Sequence, residues 1–381
     1  MNTRDSEIVR GLLQEEGYCF IDVPQEADIV MVNTCSVRAH AEHRAVSVLG
    51  ALIKKDRKHT KIFGLIGCLA QHKQKRLFNQ LRGLHFICGP SDIYEIPRIV
   101  KKITSHQSQV TSILKQTRPL DFVNPAYRES KTQAFVNITY GCDNYCSYCI
   151  VPYLRGHEVF RPAEDILKEV QSLADCGISH ITLLGQNVNS YSFLEAEKCG
   201  IKRGNTQNNI SVAGKYSRAV NFVGLLEKVS EIEGVKKIDF VTSHPKDAGE
   251  KLFRAIARIP KINQYLHLPM QSGSNKILKL MKRGYTVEKY RKLVDSYRKI
   301  VPGGKLSTDI IVGFPGETED DFKMTLEAVK EIKFDNAYIF KYSPRPPAES
   351  SKMVDDVPKE VKEQRHGELL EMQKRMYLER K

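Results

Sequence analysis

The 381-residue chain has no run of about 18 apolar residues, so nothing in its pattern reads as a membrane-spanning helix. Its opening stretch, MNTRDSEIVRGLLQEEG, mixes acid and base and lacks the apolar segment of a secretory signal. The expectation is a cytoplasmic protein with no membrane association. A disulfide framework is excluded by the same reasoning, because cytosolic thiols are kept reduced. That leaves metal ligation or catalysis for the clustered members of its nine cysteines. Isolated ones such as Cys19, Cys176 and Cys199 read as small buried hydrophobes or bystanders. A single basic stripe is also lacking. The 59 Lys and Arg against 45 Asp and Glu leave +14, spread over short runs such as KKDRKHTK (54–61). Each run alone reads as a solvated helix face; the total favours a polyanionic partner, nucleic acid first.

What is present is a two-domain pattern. Residues 5–90 alternate amphipathic helical stretches with continuous apolar strands, ADIVMVNTC, KIFGLIGC and HFICGP. This predicts an α/β unit with a doubly wound parallel sheet. Ligands of such sheets bind beyond the carboxyl ends of the strands, where Cys35, Cys68 and Cys88 fall. The unit is expected to span 1–98, with a polar linker over 99–130. Six further strand candidates follow in 131–350: FVNITYG, HITLLGQN, KIDFVTSHP, YLHLPMQSG, KLSTDIIVGFPG and NAYIFKYSPRP. Amphipathic helices lie between them, so they read as a partial (β/α)6 barrel of the TIM kind. The small and polar residues ending each strand point to one pocket at that face. Residues 193–220 read as a surface insertion and 351–381 as a charged terminal helix with nothing packed after it.

The stretch GCDNYCSYC (141–149) carries Cys142, Cys146 and Cys149 at C-x3-C-x2-C spacing, with no fourth cysteine within reach. Thiolates select zinc or iron–sulfur clusters. Zinc needs four ligands, and His157 is the nearby candidate; a cluster with one iron left open fits three. Spacing leaves both readings standing.

The motif after the first strand of a partial barrel resembles the radical SAM enzymes. GCDNYCSYCIVPYLRGHEVFRP, LLGQNVNSY, TSHP, LHLPMQSGS, STDIIVGFPGET and YSPRP resemble the methylthiotransferases among them. NTCSVR and GCLAQ resemble that family's N-terminal domain. Within the family the words are closest to enzymes that methylthiolate C2 of N6-isopentenyl adenosine beside the tRNA anticodon. Enzymes acting on threonylcarbamoyl-adenosine or ribosomal protein S12 match less well. A non-catalytic iron–sulfur protein that binds RNA is the reading from another class.

The resemblance implies a radical SAM [4Fe–4S] cluster on Cys142, Cys146 and Cys149, with S-adenosylmethionine on the open iron and cleaved to a 5′-deoxyadenosyl radical. It implies Tyr148 near the adenine, and Gln186, Asn187, Ser243, Gln271, Arg283 and Asp309 as cofactor contacts. Turn caps, a buried hydrogen-bonded His244, a helix N-cap over 271–273 and a solvated Arg283 are the structural alternatives. Arg155, His157, Glu158 and Arg161 are expected to form a polar cluster for substrate or cofactor. A second, auxiliary [4Fe–4S] cluster is implied, with Cys35 and Cys68 as two of its three ligands. The first ligand of the family lies just ahead of a Met-Asn like Met1-Asn2, so it and its strand are expected to be missing: either the sequence starts short of them, or Cys88 or Cys19 substitutes, or the auxiliary cluster is lost. A C-terminal TRAM domain is likewise expected to be missing. The implied partners are tRNA, S-adenosylmethionine and an electron donor such as flavodoxin or ferredoxin, acting on a monomer.

Overall fold

In the computed structural model, the residues described are 1–36, 39–106, 110–113, 127–196 and 216–379. The chain starts with α1 (Asn2–Glu15), β1 (Ile29–Thr34), α2 (Ala39–Lys55) and β2 (Ile62–Gly67). It continues through α3 (Cys68–Lys73), α4 (Arg76–Gln80), β3 (Phe86–Cys88), α5 (Ile96–His106) and β4 (Val110–Ser112). The four strands pair parallel in the order β1-β2-β3-β4. Their continuous apolar runs are explained by burial on both faces. Ile66, Phe86 and Cys88 pack with Ile8 and Val9 of α1 and Ile99, Val100 and Ile103 of α5. Val30, Phe63, Leu65 and Ile87 pack with Leu49 of α2, Leu69 of α3 and Leu77 of α4.

Helices cover both faces of the parallel sheet, whose strand order among the described residues is sequential. One expectation needs correction here. The stretch expected as a linker from residue 99 completes α5 up to His106 and supplies β4, so these two pieces belong to the first unit. Only three residues long and partly exposed, β4 carries too little apolar signal to be seen in sequence. Residues 114–126 of that stretch lie outside the described residues.

The second unit opens with β5 (Gln133–Asn137) and a short antiparallel pair, β6 (Thr139–Tyr140) with β7 (Val159–Phe160), which encloses α6 (Val151–Arg155). Next come α7 (Ala163–Asp175), β8 (His180–Leu184), β9 (Ser192–Ala196), β10 (Tyr216–Asn221), α8 (Phe222–Glu231), β11 (Lys237–Phe240) and α9 (Glu250–Arg258). Last are β12 (Tyr265–His267), α10 (Asn275–Leu280), α11 (Val287–Ile300), β13 (Lys305–Val312), α12 (Glu319–Ile332), β14 (Asn336–Lys341) and α13 (Lys359–Leu378). Six of these strands run parallel as β5-β8-β11 and β12-β13-β14. A parallel bridge between Ile238 and Ile262 carries the first set towards the second. One apolar core joins the strands to the helices, from Val136 and Ile181 to Val294, Ile310 and Val329.

The ends of the expected insertion pair as an antiparallel ribbon, Leu194 opposite Ala219. Its middle, with Cys199, lies outside the described residues. The terminal helix is anchored rather than free: Leu369 is buried in the core and Arg365 Nη1 donates to Glu317 at 2.8 Å. Among the described residues no helix is long and apolar enough to cross a membrane.

Buried polar contacts lock the two units together. Glu169 on α7 accepts from Arg4 of α1 at 3.4 Å, from Arg128 at 2.8 Å and from Arg161. On the other side His72 of α3 donates through Nε2 to the Pro346 carbonyl at 2.8 Å, while Ser36 and Glu42 hold its Nδ1.

Candidate active site

The three-cysteine loop leaves β6 through Gly141, whose φ of +71° is the left-handed region that glycine tolerates. A side chain there would overlap the His157 carbonyl. The backbone NH of Cys142 donates to the Gly156 carbonyl at 3.2 Å, and that of Cys149 to the Cys146 carbonyl at 2.9 Å. Ser147 pins the middle: its NH and Oγ donate to the carbonyls of Met281 and Leu280 at 3.1 and 2.7 Å. Burial pushes the Cys142 thiol up to about 11 and the Cys149 thiol up to about 12, and the Cys146 sulfur adds to both. The three sulfurs are close enough to feel one another; Cys146 is buried, and Cys142 and Cys149 are half-buried. Among the described residues no three His, Cys, Asp or Glu side chains are drawn up as around a metal ion.

His157 does not serve as a fourth ligand. Its Nδ1 meets Asp143 at 2.9 Å and its side chain is 63% exposed. What faces the sulfurs instead is Arg283, whose Nη1 lies 3.2 Å from Cys146 Sγ and 3.3 Å from the Tyr148 hydroxyl. The guanidinium is buried and fixed from behind by the Pro269 carbonyl at 3.3 Å and Tyr285 Oη at 3.1 Å. It is no solvated charge. Tyr148 packs with Ile277, Met281, Phe314 and Tyr342.

Beside this loop the carboxyl ends of four strands carry polar atoms that are buried and have no partner among the described residues: Asn137 Oδ1 and Thr139 Oγ1, Gln186 Oε1 and Asn187 Oδ1, Ser243 Oγ and His244 Nε2, and Gln271 Oε1. Burying one such group unmade costs about 1–3 kcal/mol, so a row of them marks space shaped for a polar ligand. The arrangement is held by reciprocal bonds. Asn189 Nδ2 donates to the His244 carbonyl at 3.0 Å and Asn189 Oδ1 accepts from the His244 NH at 2.9 Å. Thr242 Oγ1 donates to the Gly185 carbonyl at 2.6 Å. LLGQNVN and TSHP thus form one physical piece.

The alternatives resolve residue by residue. Asn187 does not cap its turn; its Nδ2 reaches Asp247 at 2.7 Å. Gln271 sits at φ +71° with its NH bonded to the Asp309 carbonyl at 2.8 Å, and the true N-cap of α10 is Ser274. Ser272 and Gly273 pack on Thr325 of α12. His244 Nδ1 accepts from the Lys246 NH at 3.2 Å, so Nε2 carries the proton and presents an unpartnered donor. Asp309 departs from expectation. It lies within β13 rather than at its end, and pairs with His267 Nε2 at 3.3 Å.

The polar cluster expected after the cysteines also separates. Arg155 turns to Asp5 of α1 at 2.8 Å, Arg161 to Glu169, and Glu158 accepts from Ser190 Oγ at 2.6 Å. Arg155 is a strut between the units, and Arg161 holds the carboxylate that Arg4 of the first unit also reaches.

In the first unit, Thr34 pairs with Gly67 across β1 and β2, so Cys35 and Cys68 are neighbours just past the sheet edge. Cys68 packs with Ile150 and Leu154 of α6. Arg155 reaches its thiol as well as Asp5, and the Met1 amino group lies within the field of both cysteines. Two sulfurs beside the three-cysteine loop fit a second cluster's donor set. Cys88 does not join them. Its thiol is fully buried in the α1/α5 core, donates weakly to the Gly89 carbonyl at 3.6 Å, and is pushed well up by burial. Cys19 is exposed.

Comparison with known proteins adds the following. A family profile described as "Radical SAM superfamily" matches residues 136–329, and one described as "Uncharacterized protein family UPF0004" matches residues 1–89. The tRNA-2-methylthio-N(6)-dimethylallyladenosine synthase of Moorella thermoacetica is 41% identical over 98% of this chain and 80% of its own length. That of Thermodesulfovibrio yellowstonii is 42% identical over the same shares, 98% and 80%. Among solved structures, the radical S-adenosylmethionine methyltransferase TsrM from Kitasatospora setae, with cobalamin and a [4Fe-4S] cluster bound, superposes with a TM-score of 0.64 at 14% identity, covering 92% of this chain and 74% of that one. The likeness to TsrM is one of fold.

Proposed function

The chain belongs to the radical SAM methylthiotransferases, and from that we infer a reaction that sets a methylthio group on C2 of an N6-isopentenyl adenosine beside the anticodon of tRNA. It is an enzyme of radical SAM chemistry with tRNA as substrate class. The observation in the fold that best supports this reading is the row of buried, unpartnered polar atoms beside three closely grouped thiols.

Cys142, Cys146 and Cys149 would hold the radical [4Fe–4S] cluster, and Cys35 and Cys68 would supply ligands to an auxiliary one. When bound, the radical cluster supplies an open iron for S-adenosylmethionine and the electron that cleaves it. The chain's own part is binding, orientation and exclusion of water. Arg283 places a fixed positive charge on the Cys146 side and holds the Tyr148 hydroxyl. Tyr148, backed by Phe314 and Met281, gives an apolar wall for a flat ring. Gln186, Asn187, Ser243 and Gln271 offer acceptors and hydroxyls to a zwitterionic, hydroxylated ligand. His244, kept neutral by burial and by Arg283, offers an N–H. Asp309 lies deeper in its strand, where its carboxylate pairs with His267.

We read the six parallel strands as an incomplete (β/α)6 barrel; their sequential order and the Ile238–Ile262 bridge support it. Residues 1–112 are read as the methylthiotransferase unit and 131–350 as the barrel, with the terminal helix Lys359–Leu378 after it. A flavodoxin or ferredoxin donor and a monomeric state accompany this reading on family resemblance.

The test is anaerobic reconstitution, reduction, and incubation with S-adenosylmethionine and isopentenylated tRNA. 5′-Deoxyadenosine and methylthiolated adenosine are expected by mass spectrometry. Modification of threonylcarbamoyl-adenosine or of an S12 peptide instead would reassign the substrate. No 5′-deoxyadenosine from cluster-loaded protein would leave a binding protein only.

A further inference from the structure

A basic pocket lies on the same sheet edge as Cys35 and Cys68, outside the barrel. Helix α3 begins at Cys68, directly past β2, and crosses the carboxyl edge of the sheet. Gly89, just beyond β3, leaves the room that the Gln71 side chain occupies. The helix then ends over β4, where Lys73, Gln74, Lys75 and Arg76 line an open pocket of about 340 Å³ with Thr111 and Ile113. The five steps from Cys68 to Lys73 advance about 7.5 Å along the helix, so the pocket begins roughly that far from Cys68.

Clustering around one concavity sets these cations apart from the buried arginines of the chain. Arg4, Arg128, Arg155, Arg161 and Arg365 are all committed to internal carboxylates. Among the described residues Lys73, Lys75 and Arg76 have no ion pair and no acidic side chain lines the pocket. Three uncompensated cations around one concavity raise the local concentration of anions and fit phosphate oxygens, the guanidinium in two places at once. Gln74 and Thr111 add neutral hydrogen-bonding groups to the wall.

We propose that this pocket is a docking site for the sugar–phosphate backbone of the RNA substrate, holding the strand on the first unit while the target base reaches the cysteine face. The proposal rests on the reading of tRNA as substrate and adds the surface that grips it. Backbone phosphates are the ligand that such a site recognises without regard to sequence.

The test uses the full chain carrying its clusters and a tRNA anticodon stem-loop containing N6-isopentenyl adenosine. Affinity is measured against salt for the parent, for Lys73→Ser/Lys75→Ser/Arg76→Ser, and for the charge-keeping Lys73→Arg/Lys75→Arg/Arg76→Lys. Neutralising the pocket should weaken binding at least tenfold near 0.1 M salt and lower the slope of log K against log salt by about 2. It should leave RNA-independent 5′-deoxyadenosine formation unchanged. The charge-keeping variant should stay near the parent. Equal affinity and slope in the neutralised variant would overturn the docking site while methylthiolation by the parent kept the function standing. Pocket-dependent binding with no methylthiolation would sustain the site and remove the function. A parent that binds no RNA would remove both.

Discussion

Arg283 Nη1 stands 3.2 Å from the sulfur of Cys146, in a guanidinium fixed by the Pro269 carbonyl and two tyrosine hydroxyls. A buried cation this close to a ligating sulfur stabilises any electron added to the metal group the sulfur holds. At an effective dielectric of about 20 and some 5 Å, a unit charge is worth about 3 kcal/mol, on the order of 100 mV for one electron. Arg283→Gln should therefore shift the cluster midpoint potential negative by that order while iron content is kept. Arg283→Lys, retaining the charge, should stay near the parent. Potentiometric EPR decides it, and equal potentials in parent and Gln variant would reduce Arg283 to a packing role.

His244 gives a pH signature of its own. Burial, with Arg283 and Lys246 adding to it, pushes its pKa from 6.5 down to about 2. The folded ring stays neutral, whereas the unfolded chain takes up the proton below about 6.5. As pH falls the unfolded state binds more protons, so stability is lost downward from there, by at most about 1.4 kcal/mol per pH unit from this group. His244→Gln should flatten the urea-stability profile between pH 6 and 4.5 by an amount of that order. Parallel profiles would mean the ring takes up its proton in the fold.

Glu169 supports the joint between the two units. One buried carboxylate answers Arg4, Arg128 and Arg161, with Glu7 adding a second acceptor for Arg4 at 3.2 Å. Glu169→Gln keeps the shape and removes the charge, leaving buried guanidinium groups undercompensated. Loss of one partner from such a set costs about 3–5 kcal/mol. Urea denaturation should show a fall of that size at an unchanged slope; a change below about 1 kcal/mol would mean that water or movement relieves the arginines.

How far these features could be read in advance depends on their range along the chain. The three-cysteine loop, the apolar strands and the polar strand ends are local patterns, and they appear in the fold where the pattern put them. The roles of Arg155 and Arg161 were not legible. Arg155 is paired with Asp5, 150 residues away, and spacing near the cysteines says nothing of that. The position of Asp309 was only partly legible: the sequence places it in a strand but does not fix how far the strand continues, and three further residues of β13 follow it. The short edge strand β4 carries no apolar run to find. His244 was visible as a residue, but its orphaned N–H follows from the Lys246 NH and the Asn189 clamp, which only three-dimensional pairing reveals.

Cys88 provides the sharpest test of the first unit. By position at a strand end it qualifies as a replacement ligand beside Cys35 and Cys68; by environment it does not. Its thiol is fully buried among Ile66, Phe86 and Ile93, while Cys68 faces Ile150, Leu154 and Arg155 at the junction with the barrel. Reaching the other two sulfurs would require opening the α1/α5 core. Cys88→Ala should accordingly keep the parent's iron content after anaerobic reconstitution, with a stability loss of about 1 kcal/mol from the small truncation. Cys142→Ala, Cys146→Ala and Cys149→Ala should each lower iron by about four atoms, the content of one [4Fe–4S] cluster. A loss of that size in Cys88→Ala, with the fold intact by circular dichroism, would place its sulfur among the ligands and require the core to rearrange around metal.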